Sequence, residues 1–528
     1  MDRVSVFFPE RIGTISKNLY GMFVEHIGAL VDGGIWVGED SDIPNIHGIR
    51  KDLIEKLREI DAPVLRWGGC TNEVYDWRDG IGPREKRPVS MGASFRCTGK
   101  GQVNDFGTHE FVDFCRLCGA EPYITLNIAG GSPLDAFHWV EYCNMPYGIS
   151  SLTKLRAENG SPEPFNIKYW SIGNENNEYG GMMNPEDYCA AYARVSSLGT
   201  SLWGDSKLIA SGPTWSNIEY GRRFLHSFLD RGIGWTAKKL DGYSLHVYTF
   251  AYGHDTTFSK EEWYQSLSES IIMQRIIEET SSMLEEFDPN RKIGIYVDEW
   301  GHWTTLRTDE DRGHLPFFWQ VGTMREAVVA AITLNIFNNN CNIVKMANLT
   351  GLINYIHSLF ASEGKKMIVT PTYYVFKMMK EHHEAECIRT VCSSESKDGI
   401  ERVFASASIK NGKSLITLVN TRYDEENDVI LELHNCKYHE NVEIEILAAE
   451  KPQACNSYEN PDNVKPIKKT VSASGNELRL TLPPASVVCV RFDTDLDEEL
   501  FDTPVIPPYE RIKEREVGEG YALNLCRI

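Results

Sequence analysis

A chain of 528 residues with 42% hydrophobic and 11% aromatic content can bury a large core and is too long for one small domain. Its formal net charge of −21 excludes the basic surface that a nucleic-acid binder needs to displace counterions from phosphate. It contains no run of about 18 apolar residues, so no membrane span is expected.

In chain order, residues 3–8 (RVSVFF) read as a strand that precedes the main pattern. Eight apolar runs follow: 19–26, 63–67, 122–128, 167–173, 207–212, 242–248, 292–298 and 343–349. They are mostly continuous rather than alternating, as strands covered on both faces are. Helical stretches separate them. Residues 49–60 place Ile49, Leu53, Ile54, Leu57 and Ile60 on one face, and 108–118, 185–198, 217–230, 269–287 and 323–338 behave similarly. A last helix, near 371–382, starts at Pro371. Strand alternating with helix eight times predicts a closed (β/α)8 TIM barrel over residues 18–384. An open doubly wound sheet would carry a glycine-rich phosphate loop after an early strand, and none is found.

After about residue 385 the pattern changes to short, often alternating segments separated by turns such as Asn411-Gly412 and Ser474-Gly475. That is the signature of a β-sandwich, expected over 385–497, with residues 1–17 contributing a strand to it. The segment 498–528, with Pro504, Pro507, Pro508 and many charges, reads as an extended tail.

The 13 cysteines have no short-spaced pattern beyond Cys115 and Cys118, which fall within a helix and read as packed thiols. The start MDRVSVFFPERIG has no apolar core of the secretory kind, so a cytoplasmic protein with reduced thiols is expected. His138, His302 and His314 stand outside any metal-binding frame, and adjacent Glu25 and His26 would face opposite sides of a strand, so no metal is expected.

Reactive groups in such a barrel sit at the C-terminal ends of the strands. Those ends carry Glu25-His26, Arg66-Trp67, Asn127, Asn174-Glu175, Pro213-Thr214-Trp215, His246-Val247-Tyr248, Asp298-Glu299-Trp300 and Asn348. Glu175 and Glu299 end the fourth and seventh strands, which places them across the mouth from each other. Two opposed carboxyl groups are what glycoside hydrolysis needs: one protonates the leaving oxygen, and the other attacks the anomeric carbon or activates water, according to their separation. The acid needs a raised pKa; the nucleophile stays ionised beside donors such as Arg66 and Tyr248. His246 and Tyr248 are candidate ligand contacts at the same rim. Trp67, Trp300 and Trp303 are either core or, where exposed, platforms for sugar faces; Trp300, beside Glu299, is counted among the substrate contacts.

The stretches GMFVEHIG, VLRWGGC, YDWRDGIGPR, KYWSIGNEN, LHVYT, VDEWG and LTLNIFNNN resemble glycoside hydrolase family 51, the α-L-arabinofuranosidases, over about residues 1–495. The resemblance implies a clan A barrel, retaining chemistry, no cofactor, and exo-acting release of terminal α-L-arabinofuranosyl residues from oligosaccharides or glycosides. Glu175 in the NE motif becomes the acid/base and Glu299 in DEW the nucleophile. Glu25, Arg66, Cys70, Asn174, His246 and Tyr248 match positions around the sugar. A cytosolic homo-oligomer, hexamer or trimer, is implied as well. Two departures bear on specificity. The proline usual after the aromatic residue of R-[YW]-P-G-G is missing, so Trp67 runs directly into Gly68. Gly351 stands where the family has a glutamine, and the loss of that side chain is expected to leave space for a different furanose; the alternative is therefore a furanosidase for another sugar, such as apiose or galactofuranose, or for an aryl or plant-glycoside aglycone. The remaining alternative is an inactive sugar-binding homologue.

Overall fold

The computed structural model of the chain describes residues 1–92, 100–198, 200–215, 217–230, 239–250, 252–304, 318–394, 396–397 and 399–496. The expected tail at 498–528 and His314 lie outside these. Eight parallel strands close into a barrel: Gly21–Val24, Val64–Trp67, Glu121–Leu126, Tyr169–Ile172, Lys207–Ala210, Gly242–Phe250, Gly294–Trp303 and Val344–Leu349. The last pairs with the first through Asn348↔Gly21 and Leu349↔Met22. Because every strand runs the same way, all eight C-terminal ends open on one rim. Most of their residues are buried on both faces, as the unbroken apolar runs require.

Two helices differ from the sequence reading. The one expected at 49–60 begins only at Lys51, because Gly48, with φ +84°, turns the chain so that Ile49–Arg50 pairs with Asn45–Ile46. The one expected at 269–287 is two helices, Lys260–Ser270 and Ile272–Phe287. Ser259 starts the first of them early, its hydroxyl accepting from the Glu262 N–H in a capping box.

The C-terminal strands form a β-sandwich with its own core of Val4, Val6, Phe8, Leu418, Leu431, Ile444 and Val490 among others. The first strand of the chain, Asp2–Thr14, belongs there: it lies antiparallel to Glu386–Ser393 and parallel to Asn427–His434. The helix Met324–Asn339 lies between barrel and sandwich and is buried on nearly every side. Its asparagines make the seam. Asn338 Nδ2 donates to Ser406 Oγ at 3.1 Å, Ser406 Oγ donates to Asn335 Oδ1 at 2.7 Å, and Asn339 Nδ2 donates to Ala405 O at 2.9 Å. The motif NIFNNN is thus a polar docking edge, with Asn335, Asn338 and Asn339 each making a hydrogen bond to the other domain.

Candidate active site

The fourth barrel strand is followed by Gly173 (φ +88°), and two residues later Glu175 itself takes φ +46°. A non-glycine residue in this left-handed region is held there by its surroundings. The holding group is Glu73, buried in the short turn Cys70–Val74. Its Oε1 accepts from the Asn174 N–H and Asn176 Nδ2, both at 2.9 Å, and its Oε2 accepts from the N–H groups of Ile128 (3.0 Å) and Ala129 (2.9 Å). One carboxylate therefore ties the loops after the third and fourth strands together. Sequence reasoning missed it, since a glutamate in a polar loop reads as solvated.

The seventh strand is irregular between Val297 and Trp300 in its pairing with the eighth. Such a bulge lets two consecutive residues face inward. Asp298 accepts from Tyr123 OH at 2.8 Å, with Arg66 Nε 3.7 Å away, and Glu299 lies alongside it. The same irregularity turns Trp300 outward. It is 1% exposed and packs on Phe337, His357 and Phe376, so it is core and not a substrate contact. Trp67 is likewise buried.

Glu299 is clamped by two donors: Arg66 Nη1 at 2.9 Å on Oε1 and Tyr248 OH at 2.6 Å on Oε2. Arg66 Nη2 also donates to Asn174 Oδ1 at 2.6 Å. Glu175 receives the Cys70 thiol at 3.0 Å on Oε2 and contacts His246 Nδ1 at 2.9 Å through Oε1. His246 Nδ1 is also 3.5 Å from Glu299 Oε1. One donor atom each from Glu175, His246 and Glu299 lies within 4.8 Å of the other two. This close approach falls on the retaining side, where carboxyl groups stand roughly 5 to 5.5 Å apart, leaving no room for an intervening water. Among the described residues, the same three also have spacing for a cation, but their donor atoms are already engaged with one another. Glu25 completes the group, accepting from the Thr71 N–H at 2.9 Å, and Gly69 is bare because a Cβ there would come within 2.6 Å of Glu25 Oε1.

Electrostatics follow from burial and crowding. Burial and the charge of Glu299 push Glu25 up to about 7. Burial and the neighbouring carboxylates keep the Cys70 thiol and the Tyr248 phenol protonated, so both act as donors. Burial alone would lower His246, but Glu299 and Glu175 outweigh it and raise the imidazole. Burial would raise Glu175, yet His246 and Cys70 bring it below the usual carboxylate range. The acid expected at Glu175 is thus lowered rather than raised, and the group whose proton affinity is raised is His246, one hydrogen bond away.

The two departures have structural answers. Despite the missing proline, Gly68 (φ +101°) donates its N–H to Val24 O at 3.0 Å, and Cys70 still reaches Glu175. Gly351 does not open a space. It sits at φ +97°, and a Cβ there would collide with the carbonyl oxygen of Ile356. The expected room for a different furanose is therefore absent at that point. Neighbouring Thr350 faces the site instead, its Oγ1 3.1 Å from Tyr248 OH.

Family models for the α-L-arabinofuranosidase 1 domain and the α-L-arabinofuranosidase C-terminal domain match residues 56–230 and 298–486. The chain is 36% identical over 488 residues to an intracellular exo-α-L-arabinofuranosidase of Bacteroides ovatus, covering 90% of this chain and 92% of the relative. The family 51 arabinofuranosidase of Xanthomonas axonopodis pv. citri superposes with a TM-score of 0.86 at 31% identity, covering 93% of this chain and all of that one (100%). The Thermotoga maritima α-L-arabinofuranosidase, solved with arabinose, does so with a TM-score of 0.83 at 28% identity, again over 93% and 100%. The chain belongs to glycoside hydrolase family 51, the α-L-arabinofuranosidases.

Proposed function

We propose that the protein is a retaining, exo-acting α-L-arabinofuranosidase in which Glu299 is the nucleophile and Glu175 the acid/base. The observation that carries this reading is the approach of the two carboxylates within 4.8 Å around a shared imidazole. Glu299, ionised between Arg66 and Tyr248, attacks the anomeric carbon. The glycosidic bond breaks, and its oxygen takes a proton that passes from His246 Nδ1 through Glu175, which leaves Glu175 a carboxylate and His246 neutral. Glu175, now a carboxylate, draws a proton from water, whose oxygen displaces Glu299 from the sugar. Glu25, Cys70 and Asn174 ring the same space and are assigned to the furanose hydroxyls. Arabinofuranose side chains of plant polysaccharides and their oligosaccharides are the substrates this reading favours.

Glu299→Gln keeps shape and removes charge, so turnover should vanish while folding persists. Glu175→Ala should spare aryl furanosides more than alkyl ones, and azide should rescue it by trapping the glycosyl-enzyme without base help. Wild-type rates in both variants on every furanoside would end the proposal. The relative named as intracellular supports a cytoplasmic setting. A homo-oligomer, hexamer or trimer, is the assembly implied by family resemblance, and sedimentation of the purified protein tests it.

A further inference from the structure

The barrel mouth carries two large aromatic rings that the catalytic groups do not use. Trp215, after the fifth strand, is 40% exposed, and Phe250, at the end of the sixth, is 45% exposed. They stack on each other with centroids 4.9 Å apart and 20° between planes. Paired rings left facing water are an unfavourable arrangement unless something covers them.

Their position says what that is. His246, Tyr248 and Phe250 alternate along one strand, so they share its inward face. At about 3.3 Å of rise per residue, Phe250 lies about 7 Å beyond Tyr248 and about 13 Å beyond His246, in the direction of solvent. Trp303 joins the rings into one path: it meets Tyr248 at 5.1 Å edge-on and Phe250 at 5.9 Å. The shelf is also fixed to the catalytic loops. The Trp215 N–H donates to His246 O at 3.2 Å, and Thr214 Oγ1 donates to Glu178 Oε1 at 2.6 Å and accepts from Asn177 Nδ2 at 3.2 Å. Trp215 holds φ +56°, a conformation a bulky residue takes only when its surroundings impose it.

We propose that the stacked Trp215–Phe250 pair is a leaving-group subsite that binds the sugar residues on the far side of the scissile bond, through the C–H faces of their rings. Such a shelf makes the enzyme favour oligosaccharide leaving groups over small alcohols. This rests on the arabinofuranosidase reading above. The test compares kcat/KM for (1→5)-linked α-L-arabinotriose with that for methyl α-L-arabinofuranoside, in the wild type, Trp215→Ala and Phe250→Leu. The wild type should prefer the trisaccharide, and each variant should lower that preference about tenfold, the order of one aromatic contact. Phe250→Leu keeps an apolar side chain and an unstrained backbone, so it reports on the ring should Trp215→Ala fold poorly. Wild-type preference in folded variants overturns the shelf and leaves the catalytic assignment standing. A wild type that cleaves neither furanoside overturns both.

Discussion

Replacing Glu73 by glutamine exchanges one carboxylate oxygen for an amide nitrogen and leaves everything else in place. Each oxygen now accepts two N–H donors: Asn174 N–H and Asn176 Nδ2 on one, Ile128 and Ala129 N–H on the other. In either amide orientation an NH2 group confronts two donors in a buried setting, and two hydrogen bonds are lost. An unsatisfied buried donor costs about 1 to 3 kcal/mol, so Glu73→Gln should destabilise by about 2 to 6 kcal/mol. That is a large part of a typical reserve of about 5 to 15 kcal/mol, yet compatible with folding. The chemical effect is more telling. Glu73 fixes the backbone of Asn174, so its loss displaces the adjacent Glu175, and a displacement of about 1 Å is worth about 100-fold in rate. Because the displaced group is the proposed proton donor, the loss should be largest on methyl α-L-arabinofuranoside and smallest on the 4-nitrophenyl glycoside. Steady-state kinetics on the two substrates, with a urea unfolding midpoint, reads both effects. Equal losses on both substrates, or an unchanged midpoint and rate, would refute the idea that Glu73 positions the acid/base.

Other expectations concern pH, the clamp on the nucleophile and Gly351. His246 is raised, so its proton persists above the ordinary imidazole pKa of about 6.5 and is lost only as pH climbs through the higher value; kcat/KM should fall on that limb, and a profile still rising at alkaline pH would exclude the shared proton. Tyr248→Phe removes a 2.6 Å bond to the Glu299 carboxylate; a hydrogen bond to a charged group is worth about 1.5 to 3 kcal/mol, so kcat should drop roughly 10- to 150-fold, and a change within twofold would mean the phenol is idle. Gly351→Ala forces a side chain onto left-handed backbone against Ile356 O, and should cost at least about 1 to 3 kcal/mol in a urea titration; a neutral effect would reopen the loop as space for substrate.

The barrel was legible because its strands are apolar on both faces, a pattern that survives without knowing the partners. Glu175 and Glu299 were legible because a parallel barrel brings the ends of its fourth and seventh strands to one rim. What escaped depended on local irregularity. A bulge with no compositional mark pairs Asp298 with Glu299 inside and sends Trp300 into the core. Glu73 is one of many loop glutamates, and only the backbone N–H groups converging on it give it a role. Gly351, compared with a glutamine by position alone, suggested a vacancy; its φ reveals a turn that only glycine makes comfortably. The raised proton affinity of His246 depends on two carboxylates lying within a few ångströms of it, which no linear spacing expresses.

The pairing of the opening strand with the C-terminal sheet sets a timetable for synthesis. Ser5 Oγ donates to Glu432 Oε2 across 427 residues of chain. At a ribosomal rate of about 5 to 20 residues per second, the N-terminal segment waits on the order of 20 to 90 s before its neighbours emerge. Throughout that interval the later strands that bury Val4, Val6 and Phe8 in the folded sandwich are not yet made, and an unpaired apolar strand is the kind of surface that recruits other nascent chains. Yield of native enzyme should therefore depend on how this short segment is guarded during translation more than on the barrel that performs the chemistry.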